Sequence, residues 1–180
     1  DYGLATVLHE MKLISGFDGS LIDWPTVLLN EVFENVPLLA VKEDSKEDTI
    51  TYEVLRLCNK HDVHCVLAGG GKRRAMKFFS AGLKTWLNGS TMFLPKLMDH
   101  VYLAFINGKS EYVEWYLNNI EDPFFKNVVD KVGWHLAHKA ALQYFGYGSR
   151  YERFPHPEIS DETYEICAKT FCAIKTSISS

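Results

Sequence analysis

The stretch Val63-His64-Cys65-Val66-Leu67-Ala68-Gly69-Gly70-Gly71-Lys72-Arg73-Arg74 decides the fold, and it reads in two ways. Its first six residues fit a buried strand or a short helix, because a run that short carries no periodicity to separate them. The three glycines then break whatever precedes them. If the run is a strand and Lys72 opens a helix, backbone N–H groups at Gly69, Gly70 and Gly71 can meet a phosphate, with Lys72 and Arg73 neutralising it. Neither the Walker spacing nor GxGxxG is present, and the Ser or Thr that would meet magnesium is missing. If the run is helical, the glycines are an inter-helix turn and the cations are the exposed face of the next helix. Val36-Pro37-Leu38-Leu39-Ala40-Val41 poses the same choice between a strand and two helical turns.

Outward from these two runs the pattern is helical. Leu4, Val7, Leu8 and Met11 fall at i, i+3, i+4, i+7, which predicts an amphipathic helix that Gly16 stops, followed by a loop through Phe17-Asp18-Gly19. Asp23 is placed to cap a helix with Pro25 in its first turn and Val27, Leu28, Val32 and Phe33 as its buried stripe. After a charged loop from Lys42 to Asp48, residues Ile50, Val54, Leu55, Leu57 and Cys58 predict a helix closing near His61, and Asp62 caps the run from Val63 to Ala68. Met76, Phe79 and Leu83 share a face that Asn88-Gly89 ends. Met92 to Ile106 reads as a helix with Pro95 in its first turn, where a missing N–H is tolerated. Asn107-Gly108 is a turn, Tyr112, Val113, Tyr116 and Leu117 make the next helix, and Asp122-Pro123 interrupts it. Val128 to Phe145 holds more helix around Gly133, and Ser160 caps the last one, with Ile166, Cys167, Thr170, Phe171 and Ile174 inward.

Short helices in series call for a search for a fixed period. Leu67-Ala68-Gly69-Gly70-Gly71 recurs as Ala104-Phe105-Ile106-Asn107-Gly108, 37 positions later, and Ala104 recurs as Ala140, 36 positions on. From Ala104 to Leu117 the chain resembles the second half of an ankyrin repeat, with alanine before the turn, Asn-Gly in it, and Glu111 and Val113 on the outer helix. Asp130-Lys131-Val132-Gly133-Trp134 resembles the loop opening the next unit, with His138, Ala140 and Ala141 in its first helix. Pro37 to Val41 is a compressed version of the same opening. The resemblance to the ankyrin-repeat family covers roughly residues 36–146. It implies a helical solenoid that binds a protein partner.

Composition bounds this. The chain has 180 residues, 47% hydrophobic and 23% charged, enough apolar material for one packed domain. No run of about 18 apolar residues is present to span a bilayer. A net charge of -4 excludes a chain-wide basic nucleic-acid binder. Residues 21–60 carry eight acids against four bases, and residues 61–90 carry Lys72, Arg73, Arg74, Lys77 and Lys84 against Asp62, so the charge is segregated. Adjacent patches of opposite sign favour oriented docking. Cys58, Cys65, Cys167 and Cys172 form no CxxC pair or dense framework, which points to a reducing, cytoplasmic compartment, and no signal peptide is visible. Asn88-Gly89-Ser90 reads as a turn rather than a glycosylated site.

The sequence carries no complete catalytic constellation. Cys58, His61, His64 and Cys65 lack the second tightly spaced pair that structural zinc uses, and His135 and His138 lack the glutamate of HExxH. No serine stands in a nucleophile elbow, and no motif supports Cys167 or Cys172 as a nucleophile beside His156. Glu43-Asp44 and Glu47-Asp48 read as a solvated loop. Tyr144, Phe145, Tyr147, Tyr151 and Phe154 are expected to seal the last repeat against the C-terminal helix.

The expectation is therefore a mainly α-helical, irregular ankyrin-like solenoid within a single domain of residues 1–180. Residues 1–35 form an N-terminal helical cap, 36–146 the repeats, and 147–180 a C-terminal loop and helix. Its role is non-catalytic protein–protein interaction through Lys72, Arg73, Arg74, Lys77, Glu111 and Trp115, with no cofactor and no metal. A protein partner is expected ahead of nucleic acid, and no membrane. The alternative is an α/β domain with a small parallel sheet, a phosphate- or nucleotide-binding segment at Gly69, Gly70, Gly71, Lys72 and Arg73, and a possible enzymatic role.

Overall fold

The computed structural model describes residues 5–11, 24–68 and 72–179, leaving aside the side chain of Lys72. The chain divides into two compact units, Asp1–Asn88 and Gly89–Ser180.

The first unit carries strands β1 (Thr6–Glu10), β2 (Leu38–Glu43), β3 (His64–Leu67) and β4 (Thr85–Trp86), separated by helices α1 (Thr26–Asn35), α2 (Asp48–His61) and α3 (Lys72–Phe78). All strand pairs are parallel, and the sheet order follows the chain order. Parallel neighbours need a crossover, and right-handed crossovers that always advance in one direction put the helices on one face of the sheet. That is the winding of a (βα) barrel, whose other face becomes the interior; a doubly wound sheet reverses direction and covers both faces.

Burial agrees with this winding. Leu8, Val41 and Cys65 stand in one row of a face, and Glu10, Glu43, Leu67 and Trp86 in the next. Helix α2 packs on β2 and β3, and Val54, Leu55, Leu57 and Cys58 are buried with Leu29 and Phe33 of α1. Asp62 ends α2 in the left-handed conformation at φ 55, Val63 N–H bonds back to the Cys58 carbonyl at 2.9 Å, and β3 starts at once. The opposite face carries Val7 and His9, Ala40 and Lys42, His64 and Val66, and Thr85, again in register.

This sheet overturns the helical solenoid. The runs at Pro37–Val41 and Val63–Ala68 supply β2 and β3, as the α/β alternative expected, and within the helix expected from Leu4 to Met11 the residues Thr6–Glu10 form β1, Leu4 lying outside the described residues. An i, i+3, i+4, i+7 pattern over eight residues also accommodates a five-residue strand, and parallel pairing with β2 decides between them. The ankyrin-like match set Leu67 at the end of β3 against Ala104 in α4, because a short apolar run ahead of glycine reads alike in both. The strand starts are 32, 26 and 21 residues apart, so no fixed period exists. Gly16, the Phe17–Gly19 loop, Asp23 and Gly69–Gly71 lie outside the described residues. The stripe expected on α1 is rotated: Val27 is exposed and Leu29 is buried with Phe33.

The second unit is helical: α4 (Pro95–Ile106), α5 (Ser110–Tyr116), α6 (Asp122–Phe124), α7 (Asp130–Val132), α8 (Trp134–Tyr144) and α9 (Asp161–Ser179). Pro95 opens α4 in its first turn, and Gly108 makes the expected turn after it at φ 67. Asp122-Pro123 does not interrupt the helix. Wide π turns over Leu117–Glu121 and Phe125–Val129 flank it and keep the backbone helical around a residue with no N–H to donate. Ser160 caps α9, its hydroxyl oxygen accepting the Thr163 N–H at 3.2 Å. Tyr144 and Phe145 pack on Phe171 of α9 as expected, whereas Tyr147, Tyr151 and Phe154 are exposed.

His138 and Gly89 meet in this unit's core. The His138 ring is held by Nδ1 against the Trp134 carbonyl at 2.6 Å and by the ring of Phe124, whose centroid is 5.0 Å away. A Cβ added at Gly89 stands 2.1 Å from His138 Nε2. Since that ring has little room to retreat, Gly89→Ala is expected to cost about 1–3 kcal/mol, the usual range for overpacking. Thermal melts check this, and His138→Ala in the same chain should recover part of the loss; equal melting temperatures for wild type and Gly89→Ala would contradict it.

Candidate active site

Strand β2 sets the site. Alternation along Val41, Lys42 and Glu43 sends the first and third residues, both fully buried, to the helix side and Lys42 to the other. Lys42 is the penultimate residue of β2, in register with His9 of β1 and Val66 of β3, at the C-terminal edge of the sheet. Asp44 comes just beyond. Its Oδ2 lies 3.7 Å from Lys42 Nζ and 3.4 Å from His9 Nε2, so one carboxylate oxygen gathers an amine and an imidazole, all three partly buried.

The loop carrying Asp44 is held from the helix side of the same edge. Glu10 and Glu43 stand there in register, both without solvent exposure. Glu43 Oε1 accepts the Ser45 N–H at 3.0 Å and the Ser45 hydroxyl, and Ser45 Oγ accepts the Glu47 N–H at 3.1 Å. Glu10 accepts the Asp44 N–H on its backbone carbonyl at 2.9 Å and the Trp24 N–H on Oε1 at 3.3 Å. The Glu43 carboxylate and the Glu10 backbone carbonyl thus pin the loop, and Lys46 within it takes the left-handed conformation at φ 66.

Of the residues anticipated from sequence, Arg73, Arg74 and Lys77 come together on α3. They line a cleft of about 520 Å³ with Lys46, Glu47, Asp48 and Thr49. Arg74 donates from Nη2 to Thr51 Oγ1 at 2.6 Å and from Nε to Asp48 Oδ1 at 3.4 Å, and Lys77 also binds Asp48. The hydrogen bond from Lys77, with Arg74 beside it, holds the Asp48 carboxyl below the usual carboxylate range. Gly69, Gly70, Gly71 and the Lys72 side chain lie outside the described residues. Glu111 is exposed on α5, and Trp115 stacks on Tyr112 at 5.5 Å beside Lys96, Leu97 and His100; both belong to the second unit. Cys58 and Cys65 are buried, and hydrogen bonding between them together with burial pushes the Cys65 thiol up.

Sequence reasoning missed His9, Lys42, Glu43 and Asp44 as a group. Lys42 to Asp48 was expected to be a solvated loop, but Lys42 and Glu43 are strand residues and Glu43 is fully buried. The available signal was a charged pair closing the apolar run Leu38-Leu39-Ala40-Val41, which is where a buried parallel strand delivers side chains to its C-terminal edge.

No protein family and no curated protein matches this sequence. Solved structures do resemble it. Dihydrodipicolinate synthase from Bacillus clausii superposes with a TM-score of 0.75 at 17% identity over 95% of this chain and 55% of that one. N-acetylneuraminate lyase from Fusobacterium nucleatum gives 0.73 at 14% identity over 96% and 55%. The Ruminococcus gnavus sialic acid aldolase gives 0.70 at 13% identity over 97% and 56%. The likeness establishes a TIM-barrel α/β fold with a parallel sheet in place of ankyrin repeats, and the chain spans little more than half the length of these neighbours. The expectation of a non-catalytic interaction module displayed on a repeat surface falls with the repeats. No helix among the described residues is long and apolar enough to cross a membrane.

Proposed function

We propose that this chain is the lysine-bearing part of an enzyme that makes or breaks a bond next to a carbonyl group, with the Lys42 amine as covalent nucleophile. The observation that carries the reading is the position of Lys42: on the face turned away from the helices, at the C-terminal edge of the parallel strands, sharing Asp44 with His9. In (βα) barrels that edge carries the chemistry whatever the substrate. Lysine amines react there with carbonyl compounds to give imines.

The step balances without a further reagent. The amine nitrogen bonds to the carbonyl carbon, the carbonyl oxygen leaves as water, and the iminium takes up the electron pair of the adjacent C–C or C–H bond as an enamine. His9 and Asp44 serve as the proton carriers, giving a proton to the departing hydroxyl and exchanging one with carbon. The names of the neighbours, a synthase, a lyase and an aldolase, support a reaction of this class.

The test is reductive trapping of the whole protein. Incubated with pyruvate or acetaldehyde and then sodium borohydride, the protein should gain the mass of one reduced adduct. A protein whose mass is unchanged with every carbonyl probe does not use Lys42 in this way.

A further inference from the structure

The cleft between the β2–α2 loop and α3 has a second chemistry. Four cations line it, Lys46, Arg73, Arg74 and Lys77, against two acids, Glu47 and Asp48. Arg74 and Lys77 both bind Asp48, so that one carboxylate is shared by two cations. The floor is built in advance. Arg74 has only 13% of its side chain exposed, bonds Thr51, and lies with Lys77 over the fully buried ring of Phe78 at 5.3 and 5.8 Å. At the rim, Lys46 and Arg73 are exposed, and the pinned loop fixes the Lys46 backbone in the left-handed region, which few non-glycine residues occupy.

We infer that this cleft binds the phosphate group of a small molecule. The volume of about 520 Å³ falls within the size range of small-ligand sites. An excess of cations over acids draws an oxyanion in, and a guanidinium floor held by Thr51 and Asp48 gives it charge-assisted donors at little ordering cost. Lys46 is four residues beyond Lys42, so the cleft opens on the same C-terminal edge of the sheet, at most about 14 Å along the chain. The inference stands on the cleft alone and does not require Lys42 to react.

Inorganic phosphate is the probe. Titrated into the full chain at constant ionic strength set with sodium chloride, it should raise the melting temperature in a concentration-dependent way. Lys46→Glu with Arg73→Glu should weaken phosphate binding at least about tenfold, as loss of charge-assisted contacts does, the rise being read against the variant's own melting temperature in chloride. Lys42→Ala should bind phosphate like wild type. Three results overturn the inference: no rise beyond that in chloride, an undiminished rise in the charge-reversed variant, or stabilisation by a polyanion such as heparin and not by phosphate. Trapping without phosphate binding sinks this site alone, and phosphate binding without trapping sinks the Lys42 reading alone.

Discussion

Lys42→Ala is expected to abolish reductive trapping and to lower turnover by at least about a thousandfold, the order of effect of losing a positioned catalytic group. The reason is positional. Only one face of β2 turns from the helices, and at the C-terminal edge of that face Lys42 stands in a row with His9 and Val66. No other residue in that row offers a primary amine, and Lys46, the next lysine along the chain, sits beyond Asp44 on the loop. Lys42→Arg keeps the charge beside Asp44 but removes the nucleophile, so it should be as inactive as alanine while melting like wild type. If Lys42→Arg retained trapping, the role would belong to another group. Circular dichroism and melting curves recorded in parallel separate loss of chemistry from loss of fold.

Phe124→Ala is expected to cost about 3–5 kcal/mol, the range for deleting a fully buried phenyl ring. Phe124 has no exposed surface, and its ring is the hub of the second unit's core: Phe93 at 5.1 Å, His138 at 5.0 Å, Phe125 at 5.9 Å and Phe171 of α9 at 6.3 Å. Removing it strips contacts from several neighbours at once, and the helical backbone on either side, held by π turns, offers no simple collapse into the space. For a unit of this size the change corresponds to a drop in melting temperature of at least about 12 °C. Phe124→Leu, which keeps more of the volume, should lose much less. A loss for alanine below about 1 kcal/mol would contradict the placement of Phe124 at the centre of this core.

Much of the second unit was legible because long amphipathic segments announce themselves. Pro95, Asn107-Gly108 and Ser160 act where the sequence put them, and Phe171 and Ile174 are buried as their spacing required. The first unit was not, for a physical reason. Its strands are four to six residues long where they matter, and parallel strands packed on helices show continuous apolar runs instead of alternation. Val63 to Ala68 therefore matched helix and strand equally, and only pairing across the sheet resolves it. The site was hidden by the same effect. Lys42 and Glu43 differ by one residue in sequence and point to opposite faces, so reading the charges from Lys42 to Asp48 as one solvated loop merged a candidate nucleophile with a buried anchor. Arg73, Arg74 and Lys77 stand out in the sequence by their charge and by the glycines ahead of them, but the Asp48 and Thr51 partners that hold Arg74 and Lys77 come from α2, more than twenty residues away.

The measurement that bears most directly on this account is the location of the trapped adduct. The protein is reduced with borohydride in the presence of pyruvate, digested, and its lysine-containing peptides are sequenced by tandem mass spectrometry. A single modified residue, Lys42, is expected. A label on any other lysine, or one spread over the surface lysines with Lys42 unmodified, would contradict it.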